Sequence, residues 1–308
     1  MRKVNYELII GDCVNSMKSM PEQSVNCCVT SPPYFGLRDY GVDGQIGLEE
    51  TPEQYVAKMV EVFREVRRVL RDDGTLWLNI GDSYARQAGD DSKKDPKSIN
   101  TGYSAVVAGG AAKKGNNRPP AGCKPKDLIG IPWMLAFALR ADGWYLRQEI
   151  IWHKPNPMPE SVKDRCTKAH EQIFLLSKSP RYYFDSEAMK EDAVGGKTGN
   201  TASSKRNRRS VWSVATRPYK GAHFATFPPA LIEPCILAGC PEGGVVLDPF
   251  GGSGTTAGVA VAHSRNAIIC ELNPDYGLLS QERVASIISR LSPANDNRSN
   301  SGGRNNDK

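Results

Sequence analysis

The chain lacks any long apolar run. No stretch approaches the ~18 residues that a membrane-spanning helix needs, and the mean hydropathy is -0.46. The first residues, MRKVNYELIIGDC, begin basic, but their apolar run is too short for a signal peptide. The expected compartment is therefore the cytoplasm. Metal-ligand spacing is missing too. The eight cysteines, at positions 13, 27, 28, 123, 166, 235, 240 and 270, form no C-x2-C pair. His153, His170, His223 and His263 share no ligand spacing either. Neither a zinc site nor a disulfide framework is expected, and the cysteines read as small buried apolar residues. Acid is absent from one long segment. Residues 193–232 hold no Asp or Glu, yet carry Lys197, Lys205, Arg206, Arg208, Arg209, Arg217 and Lys220. The whole chain has a net charge of only +6 over 308 residues, a mild excess that by itself says little about partners.

What is present is an alternation of strands and helices. Tyr6–Ile10 and Val25–Val29 read as short apolar strands. Thr51-Pro52-Glu53-Gln54 is a helix start, with Thr as N-cap, Pro in the first turn and Gln placed for a capping box. Tyr55, Met59, Phe63, Val66 and Leu70 then repeat at helical spacing until Asp72-Asp73-Gly74 stops them. Further strands are expected at 75–80, 145–152, 171–177, 244–248 and 267–271, with helices at 132–139, 255–262 and 274–291. Trp133 and Trp144 read as core. This pattern predicts an α/β fold with a doubly wound, mostly parallel Rossmann-like sheet and helices on both faces. One domain is expected over 1–291. Within it, 86–122 reads as a flexible insertion without periodicity, and a disordered tail is expected over 292–308.

Two stretches carry chemistry. The first is VVLDPFGGSGTT, 245–256, where a β-branched strand runs into Asp248, then a glycine loop, then a helix. Glycines let the backbone approach a ligand, and a helix N-terminus offers unpaired N–H groups to an anion. A second strand ends in Glu271, placed to accept ribose hydroxyls. No Lys follows the last glycine, so this is not a Walker A loop. A dinucleotide is the alternative ligand, but Asp248 suits a cationic cofactor better. S-adenosylmethionine, with its sulfonium, ammonium, carboxylate and ribose, fits that donor and acceptor set.

The second stretch is TSPPY, 30–34, directly after a strand. Its prolines fix the backbone and remove N–H groups. Ser31 and the carbonyls beside it become acceptors with little freedom, suited to an exocyclic amine, and Tyr34 offers a face for stacking a base. Both stretches fall at carboxyl ends of expected strands, where open α/β sheets bind ligands.

With TSPPY preceding DPFGGSGTT, the sequence resembles the DNA amino-methyltransferases that modify N4 of cytosine or N6 of adenine, in the permuted order of the β group. Gly11-Asp12-Cys13, IIWHKPNPMPES (150–161) and HFATFPPALIEPCI (223–236) add to the likeness. The resemblance implies a catalytic set of Ser31, Pro32, Pro33 and Tyr34. It implies a cofactor set of Asp12, Thr30, Thr226, Phe227, Asp248, Pro249, Phe250, Gly251, Gly252, Ser253, Gly254, Thr255 and Glu271, with S-adenosylmethionine as cofactor. Ser at the first motif position is typical of N4-cytosine enzymes, while N6-adenine remains the alternative. The implied chemistry is direct transfer from sulfur to nitrogen on a base flipped out of the duplex. Carbon-5 methylation would need a thiol nucleophile, and Cys235 reads as packing instead. Double-stranded DNA is the implied partner, with Lys205, Arg206, Arg208, Arg209, Arg217 and Lys220 contacting phosphates. The segment 185–220 is expected to read the target sequence. A homodimer and a cognate restriction endonuclease are further partners that the resemblance allows.

Overall fold

The computed structural model describes residues 5–85, 119–193, 205–216 and 227–292. Most of the expected insertion, parts of the 185–220 region, nearly all of the expected tail, and with them Arg217, Lys220 and Thr226, lie outside the described residues.

The first half begins with β1 (Tyr6–Ile10), α1 (Cys13–Lys18) and β2 (Val25–Thr30). It continues through α2 (Pro52–Val69), β3 (Leu70–Ile80), α3 (Ile131–Ala141), β4 (Tyr145–His153) and β5 (His170–Ser177). The short strands β6 (Lys190–Asp192), β7 (Lys205–Asn207) and β8 (Val211–Ser213) follow. The chain then forms α4 (Pro229–Gly239), β9 (Val245–Asp248), α5 (Thr255–Ala262), β10 (Asn266–Glu271) and α6 (Tyr276–Leu291). Eight strands form one sheet in the order β1-β10-β9-β2-β3-β5-β4-β8. Its pairings are parallel except those of β5, which runs antiparallel to both β3 and β4. The strands β6 and β7 pair separately.

Local chemistry accounts for the start of α2. Thr51 caps it by accepting from the Gln54 N–H at 3.2 Å, and Pro52 opens the first turn. Its apolar stripe of Tyr55, Met59, Phe63 and Val66 is buried. One expectation needs correction. Asp72-Asp73-Gly74 do not end the helix, because β3 already starts at Leu70. The pairing with β2 jumps from Val25–Leu70 to Cys27–Thr75, so a bulge absorbs these residues within the ladder.

Two apolar layers enclose the sheet. One joins α1, α2 and α3 through Met17, Met59, Phe63 and Leu135 to Cys28, Leu76 and Leu78. The other joins α4, α5 and α6 through Leu231, Val259 and Val284 to Cys27, Val29 and Trp77. Alternate residues of β2 and β3 feed opposite layers, as the two-residue strand period requires. Six of the eight cysteines are buried, whereas Cys166 is exposed and Cys123 intermediate. Trp144 is core, but Trp133 is 38% exposed on α3, packed edge-on against Phe174. Among the described residues, no helix is long and apolar enough to cross a membrane.

Candidate active site

The parallel strands β2, β9 and β10 deliver both sequence signatures to one edge of the sheet. A cavity opens there, lined by residues of both: Ser31, Pro32, Pro33 and Tyr34 from the corner, and Asp248, Pro249, Phe250, Gly251, Gly252, Ser253 and Thr255 from the glycine loop. Asp12, Phe227 and Glu271 line it as well. Hydrogen bonds tie the two signatures together at its floor. Thr30 Oγ1 donates to Asp248 Oδ1 at 2.6 Å across 218 positions of sequence. Thr256 Oγ1 donates to Asp248 Oδ2 at 2.6 Å, and the Phe250 N–H donates to Oδ1 at 3.0 Å.

Asp248 is 2% exposed, and burial pushes its carboxyl above the usual range despite its three donors. Three of roughly four lone-pair positions on the carboxylate are thus engaged by the protein. The sequence pointed to a partner for a cationic cofactor; the structure adds a tie between corner, loop and helix.

Gly254 caps α5 with φ +78°, a left-handed conformation that side-chain-bearing residues rarely adopt. A Cβ on Gly251 would stand 2.8 Å from Ile269 Cβ, so the loop packs against β10 only without a side chain. Asp12 caps α1, its Oδ1 accepting from the Asn15 N–H at 2.8 Å. Glu271 accepts the Gly252 N–H on Oε2 and the Asn273 N–H on Oε1, both at 2.8 Å. Each oxygen keeps a lone pair for a ligand hydroxyl. Burial is the main force raising the Glu271 carboxyl above its ordinary value. An ionised acceptor is lost when its raised value is crossed on acidification. Cofactor affinity should therefore fall with decreasing pH from above the usual carboxylate range, and Glu271→Gln should flatten that fall in a calorimetric titration.

Several residues at the cavity carried no sequence signal. Leu37, Arg38, Tyr40, Gln45 and Ile46 line it from the segment after the corner, and Tyr276 lines it from α6. Tyr34 is held by more than its own motif. Its hydroxyl donates to Glu171 Oε2 at 2.7 Å and accepts from Asn79 Nδ2 at 2.8 Å. Tyr55 Oη donates to the Pro33 carbonyl at 2.8 Å, fixing the corner from α2. Periodicity marked Tyr55 as core and gave no hint of this second role.

The expected phosphate contacts are more self-satisfied than the sequence suggested. Arg206 and Arg209 lie 3.0 and 3.5 Å from Glu191 on β6, just outside the acid-free stretch. Arg208 sits over the Trp212 ring. Cys235 is inside α4 rather than at its start, 1% exposed, and burial drives its thiol upward, so it is no nucleophile.

A family model described as DNA methylase matches residues 25–282. The chain belongs to this family. The methylase is 51% identical to the type II methyltransferase M.XycI of Xanthomonas campestris pv. cyanopsidis, over 90% of this chain and 87% of that protein. It is 50% identical to M.SmaI of Serratia marcescens, over 90% of each. Its fold is that of S-adenosylmethionine-dependent methyltransferases. The PvuII DNA methyltransferase, described as cytosine-N4-specific, superposes with a TM-score of 0.63 at 21% identity, covering 93% of this chain and 92% of that one. A DNA modification methylase of Thermus thermophilus, solved with S-adenosyl-L-methionine, gives a TM-score of 0.59 at 24% identity, covering 92% of this chain and 96% of that one.

Proposed function

We propose that the methylase transfers a methyl group from S-adenosylmethionine to N4 of a cytosine turned out of duplex DNA. The observation that carries this reading is the shared cavity, in which Ser31 and the glycine loop with Glu271 line one space. Glu271 would hold the ribose, Asp12 would lie near the adenine, and the N-terminus of α5 with Ser253 and Thr255 would face the carboxylate. The cofactor supplies an electrophilic methyl group. The chain's own residues then position the amine: Ser31 and the corner carbonyls accept its N–H groups, so that its lone pair faces the methyl carbon. Catalysis is positioning and electrostatics. The serine at the corner favours cytosine over adenine.

Lys205, Arg206, Arg208 and Arg209 would meet phosphates, together with Arg217 and Lys220, and 185–220 would read the target sequence. Cytoplasmic location, a homodimer and a cognate restriction endonuclease complete the proposal. Genomic DNA treated with the methylase and labelled cofactor, then digested to nucleosides, should yield N4-methylcytosine by mass spectrometry. N6-methyladenine as the sole product would refute the cytosine assignment.

A further inference from the structure

The target end of the cavity rests on a polar cluster that neither sequence signature contains. Glu171 lies near the start of β5 and Asn79 near the end of β3; antiparallel pairing of these strands brings the two together. Ser31 Oγ donates to Tyr34 Oη at 3.4 Å, and Tyr34 Oη donates to Glu171 Oε2 at 2.7 Å. Asn79 Nδ2 donates to Tyr34 Oη at 2.8 Å and to Glu171 Oε2 at 2.9 Å. Lys154 Nζ pairs with Glu171 Oε1.

The direction of these bonds is fixed by counting hydrogens. An ionised carboxylate only accepts, so the single Tyr34 hydroxyl hydrogen points at Glu171. The Tyr34 oxygen is then left to accept, and the Ser31 hydrogen turns towards it. The Ser31 lone pairs remain for the cavity. Reversing the Asn79 amide would set two acceptors 2.9 Å apart. Burial first, and Glu171 second, push the Tyr34 phenol well above its ordinary value, so it passes a hydrogen on without ionising.

We propose that Ser31, Tyr34 and Glu171 form a proton relay that receives the hydrogen lost by the amine. The proposal rests on the amino-transfer reading above. As the amine nitrogen bonds to the methyl carbon, the carbon–sulfur bond breaks with its electron pair kept by sulfur, and nitrogen becomes cationic. One N–H hydrogen passes to Ser31 Oγ, the Ser31 hydrogen to Tyr34 Oη, and the Tyr34 hydrogen to Glu171 Oε2. The products are a neutral methylated amine, a neutral thioether and a protonated Glu171. The positive charge of the sulfonium and the negative charge of the carboxylate disappear together. Glu171 acts through Tyr34 and is a positioning residue.

The charged and titratable groups around Glu171 come from each neighbouring segment. They are Lys154 after β4, Tyr34 from the corner, and Lys168 from the loop leading into β5, whose Nζ donates to the Asp82 carbonyl at 3.2 Å. Burial lowers the Lys168 ammonium, opposed by Asp82 and Glu171.

The test is single-turnover methylation of unmethylated genomic DNA by the full chain, using cofactor with a tritiated methyl group, across pH. Glu171→Gln should slow the step by about tenfold to a hundredfold and remove the acid limb of the pH–rate profile. Cofactor affinity should stay within about twofold, and Glu171→Asp should recover part of the rate. Tyr34→Phe keeps the ring and should show a similar loss. The double variant should be no slower than the slower single one, because both interrupt one path. If Glu171→Gln fails to fold, Tyr34→Phe carries the test with the same pH readout. A wild-type rate in either variant, multiplied losses in the double, or a parallel loss of cofactor affinity would overturn the relay. A wild-type chain that leaves DNA unmethylated would instead refute the amino-transfer reading on which the relay rests.

Discussion

Asp248→Ala should lose S-adenosylmethionine binding by more than about a hundredfold, measured by titration calorimetry, and should also melt at lower temperature. The expectation follows from the donors gathered on one carboxylate. Thr30, Thr256 and the Phe250 N–H all donate to it, from the end of β2, the first turn of α5 and the loop between β9 and α5. A buried donor left without a partner costs about 1–3 kcal/mol, so alanine should loosen all three segments at once. Thr30→Val and Thr256→Val each remove one bond and should weaken binding less. Unchanged cofactor affinity in Asp248→Ala would remove this residue from the site's machinery. The carboxyl's raised value sharpens the reading. Its burial works against ionisation, so the ionised form costs stability as pH rises through the folded value. The residue is kept for what it holds in place.

Gly81→Ala should leave cofactor affinity near wild type yet lower turnover by about a hundredfold. A Cβ on Gly81 would stand 2.5 Å from Tyr34 Cε2 and 3.1 Å from Cδ2. Tyr34 cannot yield cheaply, because its hydroxyl is tied to Glu171 and Asn79. The ring must shift, taking with it the surface expected to meet a base. A displacement of about an ångström near reacting groups can cost two orders of magnitude. Glu271 and the glycine loop are not among the nearest neighbours of the added atom, so binding of cofactor should survive. Equal turnover in wild type and Gly81→Ala, checked by methyl incorporation at saturating cofactor, would show that Tyr34 need not stay where it is.

The two signatures were legible because each is a local arrangement: strand, constrained turn, polar acceptor. Helix α2 was legible through its cap and its apolar stripe. The polar cluster behind Tyr34 was not, because Asn79 and Glu171 are single polar residues in apolar strands. Only the reversed direction of β5 sets them side by side, and no periodicity reports strand direction. The early start of β3 was hidden for a related reason. Asp72-Asp73-Gly74 has turn chemistry, yet a bulge against β2 accommodates it inside a ladder. Trp133 misled through composition alone: a large aromatic on an apolar helix need not face the sheet. The acid-free stretch hid its counter-charge because Glu191 comes from just before it and meets Arg206 and Arg209 through the pairing of β6 with β7.

The pairing of β1 with β10 bears on the order in which the molecule comes into being. Tyr6–Ile10 lies beside Ala267–Glu271, and Asn5 reaches Asn266 across 261 positions. Translation at about 5–20 residues per second leaves β1 waiting on the order of ten seconds or more for its neighbour. The TSPPY corner, α2 and β3 can meet during that interval. The cofactor half cannot close until β9, α5 and β10 have emerged from the ribosome. An apolar strand therefore spends most of synthesis without its partner, which makes it a natural client for chaperones, and the nascent chain cannot modify DNA before nearly all of the sheet exists.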